Sequence, residues 1–113
     1  METEKLIIYI AGPMRGYFDN NFPAFFTAEK KWAKNPLVQL VINPARLDEE
    51  DGFSSEELLN PTRKQLREFM QRDLNALLKC DAIYMLRGWE RSDGAKVEHA
   101  LAIYLGLLVF YEG

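Results

Sequence analysis

The chain has 113 residues, the size of one domain and too short for two independent cores. Hydrophobic residues make up 48% and charged residues 27%, which excludes a disordered chain. Fourteen Lys and Arg against seventeen Asp and Glu give a formal charge of −3, which argues against general nucleic-acid binding and leaves room only for a local basic patch.

The start, Met1-Glu2-Thr3-Glu4-Lys5, lacks the basic residues and long apolar stretch of a signal peptide. Leu6-Ile7-Ile8-Tyr9-Ile10-Ala11 is a continuous apolar run that stops at Gly12-Pro13, and it predicts a buried strand. A loop follows to Asn20. Asn20 or Asn21 is placed to cap a helix with Pro23 in its first turn, running to about Lys34. Val38–Ile42 predicts a second strand, closed by Asn43-Pro44. Residues 45–60 are polar and hold the acidic run Asp48-Glu49-Glu50-Asp51; they read as a solvated loop, with a short helix at Ser54-Ser55-Glu56-Glu57. A long helix is expected from Pro61 to Lys79, a third strand over Asp81–Leu86, a loop from Arg87 to Ser92, a helix from Asp93 to Leu105 and a last strand over Leu107–Tyr111.

This alternation predicts one domain of the α/β class. The expected form is a Rossmann-like, flavodoxin-like three-layer sandwich with a mainly parallel sheet of four to five strands. Such sheets bind ligands beyond the carboxyl ends of their strands. The loops expected there are Gly12–Asn20, Asn43–Asn60 and Arg87–Asp93. The apolar C-terminal run is broken by Tyr104 and Gly106 and is too short to span a bilayer. One cysteine, Cys80, excludes an internal disulfide and reads as a buried strand-start residue; no Cys/His spacing suits zinc. The one histidine, His99, reads as a surface residue.

Two acids stand where a core is expected. Laid out at about 100° per residue, the helix from Pro61 puts Leu66, Phe69, Met70, Leu74 and Leu77 on one stripe. Asp73 lies inside that stripe; Arg67, Glu68 and Arg72 fall mostly outside. In the last helix Glu98 heads a stripe of Ala95, Leu101, Ala102 and Leu105. A carboxylate among apolar residues costs several kcal/mol unless it is paired, hydrogen-bonded or open to a pocket. The plain alternatives are an Asp bonded to a loop amide and a first-turn Glu favoured by the helix dipole. Two carboxylates that meet in one cleft can divide acid and nucleophile roles.

The loop Gly12-Pro13-Met14-Arg15-Gly16 follows a buried strand and lacks the pattern of a P-loop or a dinucleotide fingerprint. Its glycines admit close backbone approach of a ligand, and Arg15 is a candidate anion clamp. Ser92-Asp93-Gly94 at a helix start offers a hydroxyl and free amides to an anion, or simple capping.

Tyr9-Ile10-Ala11-Gly12-Pro13-Met14-Arg15-Gly16, Arg72-Asp73-Leu74, Cys80-Asp81-Ala82 and Ser92-Asp93-Gly94-Ala95-Lys96-Val97-Glu98 resemble, in order, the motifs of the nucleoside 2-deoxyribosyltransferase superfamily. The nearest likeness is to its short phage- and bacteria-borne branch, the DUF4406 group, through Gly88-Trp89-Glu90-Arg91-Ser92. The resemblance implies that Glu98 is a nucleophile attacking the anomeric carbon of a deoxyribosyl group. It implies that Asp73 protonates the departing base or holds the sugar, and that Tyr9 orients the glutamate or the sugar. Ser92 and Arg15 match the phosphate ligands of the related deoxynucleoside 5′-monophosphate N-glycosidases, with Gly12, Met14, Gly16, Asp93 and Gly94 lining the substrate site.

The expected function is therefore cleavage of the N-glycosidic bond, or deoxyribosyl transfer, on a 2′-deoxynucleoside 5′-monophosphate. It would need no metal and no organic cofactor, and would be carried out in the cytoplasm by a homodimer or higher homo-oligomer. A non-catalytic nucleotide-binding module on the same fold is the alternative. The sequence runs only fifteen residues past Glu98. Relatives usually continue and lend a C-terminal residue to the partner's site, so Tyr17, Phe18 and Trp89 become candidates for the wall against the base.

Overall fold

The computed structural model describes residues 5–113, so most of the start read above for a targeting signal lies outside the described residues. Leu6–Ala11 forms β1, and a 3-10 turn at Phe18–Asn21 leads into α1 (Phe22–Ala33). β2 (Val38–Ile42), α2 (Pro44–Glu50), α3 (Ser55–Leu59) and α4 (Arg63–Leu77) follow. β3 (Ala82–Met85), a second 3-10 turn (Trp89–Arg91), α5 (Asp93–Leu105) and β4 (Leu108–Tyr111) complete the chain. The four strands are all parallel, in the order β2-β1-β3-β4. This is the expected Rossmann-like sandwich with four strands among the described residues. Winding reverses between β1 and β3, the place where open sheets of this kind form a crevice.

The apolar strand runs are continuous because both faces of the sheet are covered. Ile8, Ile10, Ala82, Tyr84 and Leu86 pack under Phe25 and Ala28 of α1. Tyr9, Ala11, Ile83 and Met85 pack under Leu77 of α4 and Ala95 and Ala102 of α5. Asp81 closes the amino ends, its Oδ2 accepting from the Ile7 N–H at 2.8 Å. Cys80 is buried as expected; its thiol donates to the Ala76 carbonyl, and burial pushes its pKa up to about 12. Among the described residues no helix is long and apolar enough to cross a membrane.

The segment after β2 departs from expectation. Residues 44–50 are helical rather than a solvated loop. Pro44 opens the helix, the buried Asn43 side chain caps it through the Ala45 N–H, and Pro44 and Ala45 are themselves buried. Glu49 and Glu50 are solvated, but Asp48 is only 4% exposed. Charge runs are solvated unless a partner waits inside, and here Arg72 is that partner. The long helix begins at Arg63, since Thr62 and Gln65 form a capping box just past Pro61.

Asn20 and Asn21 do not cap α1 through their side chains. Asp19, Asn20 and Asn21 all have positive φ (51°, 52° and 62°), a region Asp and Asn tolerate best. The Asn21 amide instead donates to the Pro13 carbonyl at 2.9 Å and ties down the loop after β1.

Candidate functional site

A cavity of about 670 Å³ opens beyond the carboxyl ends of β1 and β3. Its volume lies within the range of small-molecule sites. The loop after β1 contributes Gly12, Met14, Arg15 and Tyr17. The first half of α4 contributes Leu66, Phe69, Met70 and Asp73. The start of α5 contributes Ser92, Asp93, Gly94 and Glu98. The apolar stripe of α4 is therefore two things in sequence. Leu74 and Leu77 belong to the core, while Leu66 to Asp73 form the cavity wall. Asp73 is in the stripe because the stripe there faces a cavity.

Glu98 sits on the first turns of α5, only 6% exposed. Tyr9, fully buried at the middle of β1, donates its hydroxyl to Glu98 Oε2 across the sheet–helix layer. Burial pushes the Glu98 carboxyl up to about 8; the nearby Asp73 charge adds to this, while the Tyr9 hydrogen bond and Arg72 work against it. Burial also raises the Tyr9 phenol well above its usual value, with the charges of Glu98 and Asp73 adding to it. Asp73 is raised to about 6 by burial, against the pull of Arg72. Burial thus favours the protonated form of both carboxyls, and the two negative charges oppose each other.

Arg72 fixes Asp73 in place. Its guanidinium donates to Asp73 Oδ1 at 2.9 Å, to Asp51 Oδ2 at 2.9 Å and to Asp48 Oδ1 at 2.7 Å. It also lies over the Phe69 ring, whose edge packs on Phe53 at 4.7 Å. Burial works to lower the Arg72 pKa, yet the carboxylates of Asp73, Asp48 and Asp51 together raise it, so it is a permanent cation. Burial raises the Asp48 carboxyl even with this partner. The helical wheel set Arg72 outside the stripe and the acidic run in solvent, so sequence reasoning missed this knot. The pairing of a helix Arg with an acid 24 residues earlier leaves no periodic trace. A weak signal was present: an arginine directly before an out-of-place aspartate.

The opposite wall holds the expected anion ligands. Arg15 is exposed at the rim. The Ser92 hydroxyl caps α5 by accepting from the Ala95 N–H at 3.2 Å, which leaves its own proton free to donate. Among the described residues the N–H groups of Asp93 and Gly94 have no partner. The Asp93 carboxylate is fully exposed and pairs with Lys96 at 3.3 Å. Gly12 lines the cavity, but its lack of a side chain serves packing first, since a Cβ there would stand 2.7 Å from Leu86 Cβ. Gly16 lies in an exposed turn outside the cavity wall. Met14 and Gly94 line the cavity.

Of the three aromatic candidates for a wall, the structure brings only Tyr17 to the cavity. Phe18 is 91% exposed. Trp89, in the second 3-10 turn, stacks on His99 at 4.3 Å outside the cavity, and His99 Nε2 pairs with the Tyr111 hydroxyl at 2.9 Å. Leu66, Phe69 and Met70, read from the sequence as core, supply the apolar wall instead.

The profile of one protein family, described as "Domain of unknown function (DUF4406)", matches residues 6–111. No curated protein matches the chain.

Proposed function

The chain belongs to the DUF4406 family, and from the chemistry of its cavity we propose that it cleaves the N-glycosidic bond of a 2′-deoxynucleoside 5′-monophosphate. One observation carries this reading: two carboxyl groups from separate helices, Glu98 and Asp73, line one cavity with pKa values driven apart to about 8 and about 6. Pairs of that kind divide nucleophile and acid roles.

In the proposed step, a Glu98 oxygen attacks the anomeric carbon as the C–N bond breaks. The bond pair leaves with the base, which takes a proton from Asp73. Tyr9, donating its hydroxyl to Glu98 Oε2, holds the carboxyl so that its other oxygen can attack. Water or a second base then displaces Glu98 from the sugar, as in retaining glycoside hydrolysis. Arg15, the Ser92 hydroxyl and the Asp93 and Gly94 amides would take the 5′-phosphate at the positive end of α5.

The step needs Glu98 ionised and Asp73 protonated; burial favours the second and works against the first.

The same observation favours a second reading, a nucleotide-binding module in which protonated Glu98 only donates a hydrogen bond. Incubation with each of the four deoxynucleoside monophosphates, followed by chromatography for free base, separates them. Base release that disappears in Glu98→Ala supports the enzyme. Binding without base release by the unsubstituted protein, weaker in Glu98→Ala, supports the module. We also propose a homodimer, on the apolar side chains left open on α5 and β4: Ile103, Leu108 and Tyr104, the last 86% exposed. Sedimentation of the pure protein tests it.

A further inference from the structure

The chain has seven arginines and seven lysines. Five of the arginines line the cavity and none of the lysines does. Arg72 is occupied by Asp48, Asp51 and Asp73. Arg15, Arg63, Arg67 and Arg91 are exposed and, among the described residues, make no ion pair and no side-chain hydrogen bond. Carboxylates are not scarce in a chain of net charge −3. Cations gathered without partners around one hollow mark where an anion would bind.

Arg63 and Arg67 are on a different wall from the phosphate ligands proposed above. They sit one turn apart at the start of α4, with no acid in that first turn. The placement works against the helix twice. Like charges four residues apart repel, and the amino end of a helix already carries positive potential. At about 1.5 Å per residue, Arg67 lies roughly 9 Å and Arg63 roughly 15 Å along the axis from Asp73. Leu66, Phe69 and Met70 line the wall between. The cavity therefore has a cationic end at Arg15 and the α5 amides, a carboxyl pair at its floor, an apolar stretch, and a second cationic end.

We propose that Arg63 and Arg67 form a second anion subsite, so that the ligand carries two separated negative groups. One is the 5′-phosphate. The other, a phosphate or carboxylate, lies on the part of the nucleotide that reaches α4. This rests on the reading of the cavity as a nucleotide site. The second charge has two chemical sources, a 3′-phosphate on the sugar or an acid substituent on the base. Guanidinium suits either oxyanion.

The test uses the full chain carrying Glu98→Gln, which keeps ligands intact, with calorimetric binding of two matched pairs. Thymidine 3′,5′-bisphosphate is compared with thymidine 5′-monophosphate, and 5-carboxy-2′-deoxycytidine 5′-monophosphate with its parent monophosphate. One doubly charged ligand should bind about tenfold to a hundredfold more tightly than its parent, as expected for a charge-assisted contact. Which pair shows the gain identifies the source. Adding Arg63→Gln and Arg67→Gln should erase the gain, and high salt should shrink it in the protein that keeps both arginines. Two equal pairs, or a gain that survives the double substitution or high salt, overturn the proposal. Base release by the unsubstituted protein is read in parallel. An arginine-dependent gain without base release from any nucleotide would defeat the glycosidase reading and leave the subsite standing. Base release without a gain would do the reverse.

Discussion

The two faces of the sheet are buried to similar depth but filled with different chemistry. Under α1 the contacts are mostly hydrocarbon, from Ile8, Ile10, Phe25, Ala28 and Leu86, with Tyr84 reaching Lys31 through its hydroxyl at 3.3 Å. Under α4 and α5 the same strands present Tyr9 to a buried glutamate, and the layer opens at its carboxyl edge into a cavity with Asp73 and Arg72 on its wall. One face is chiefly packing, reaching the cavity only through Ile10, Met14 and Phe25. The other carries groups whose burial is unfavourable when ionised, each held by a partner: Tyr9 for Glu98 and Arg72 for Asp73 and Asp48. Strain of this kind at one edge of an otherwise ordinary core is how functional sites differ from their scaffolds.

Substitutions should sharpen that contrast. The largest effect is expected from Glu98→Gln, which should lower base release on the order of 10⁴-fold or more, as loss of a covalent nucleophile does; base release from monophosphates by chromatography measures it. On the opposite face, Ile8→Ala should cost about 2–5 kcal/mol in urea unfolding, equally at pH 5 and pH 9, because only packing is lost.

Glu98→Gln should move stability the other way. The Glu98 pKa is raised from 4.5 to about 8 by folding, so the folded state prefers the protonated form. The native protein loses stability as pH rises from about 4.5 to about 8, and Gln does not. The substituted protein should equal the parent near pH 4.5 and exceed it by a few kcal/mol, on the order of the shift itself, at pH 9. Melting curves across that range give the comparison, and a gap that fails to widen with pH would break it.

Arg72→Met should cost up to about 3–5 kcal/mol at pH 7.5, by leaving Asp48 and Asp73 buried without a cation. The loss should shrink at pH 5, where the orphaned acids take up protons. The smallest effect is expected at Ser92. Ser92→Ala removes the α5 cap and should cost about 1 kcal/mol of stability. It should also weaken monophosphate binding more than nucleoside binding, read as separate titrations of the two.

The profile of kcat/KM against pH for the proposed reaction should be a bell with limbs near 6 and 8, set by the coupled Asp73–Glu98 pair. The rising limb belongs to whichever group titrates first, so the profile describes the pair.

Much of this was legible in the residue order. The strand runs at Leu6, Val38, Ala82 and Leu108 are short, apolar and separated by helical stretches, and a both-faces-buried parallel sheet follows from that alone. Asp73 and Glu98 were visible as charges in apolar stripes, because a helix repeats every 3.6 residues and an exception shows. Arg72–Asp48 and the two-part role of the α4 stripe were not visible. Periodicity says which side of a helix is covered; it does not say whether core or cavity lies opposite.

The sequence by itself determined the elements, their parallel pairing and the two misplaced acids, since these rest on local propensity and on the sign of hydrophobicity along the chain. Tertiary structure decided that the two acids share one hollow, that burial disfavours the charge on each and which arginine is already spoken for. Those depend on distances between segments far apart in the chain and on the loss of water around them, and Coulomb energies change several-fold with both.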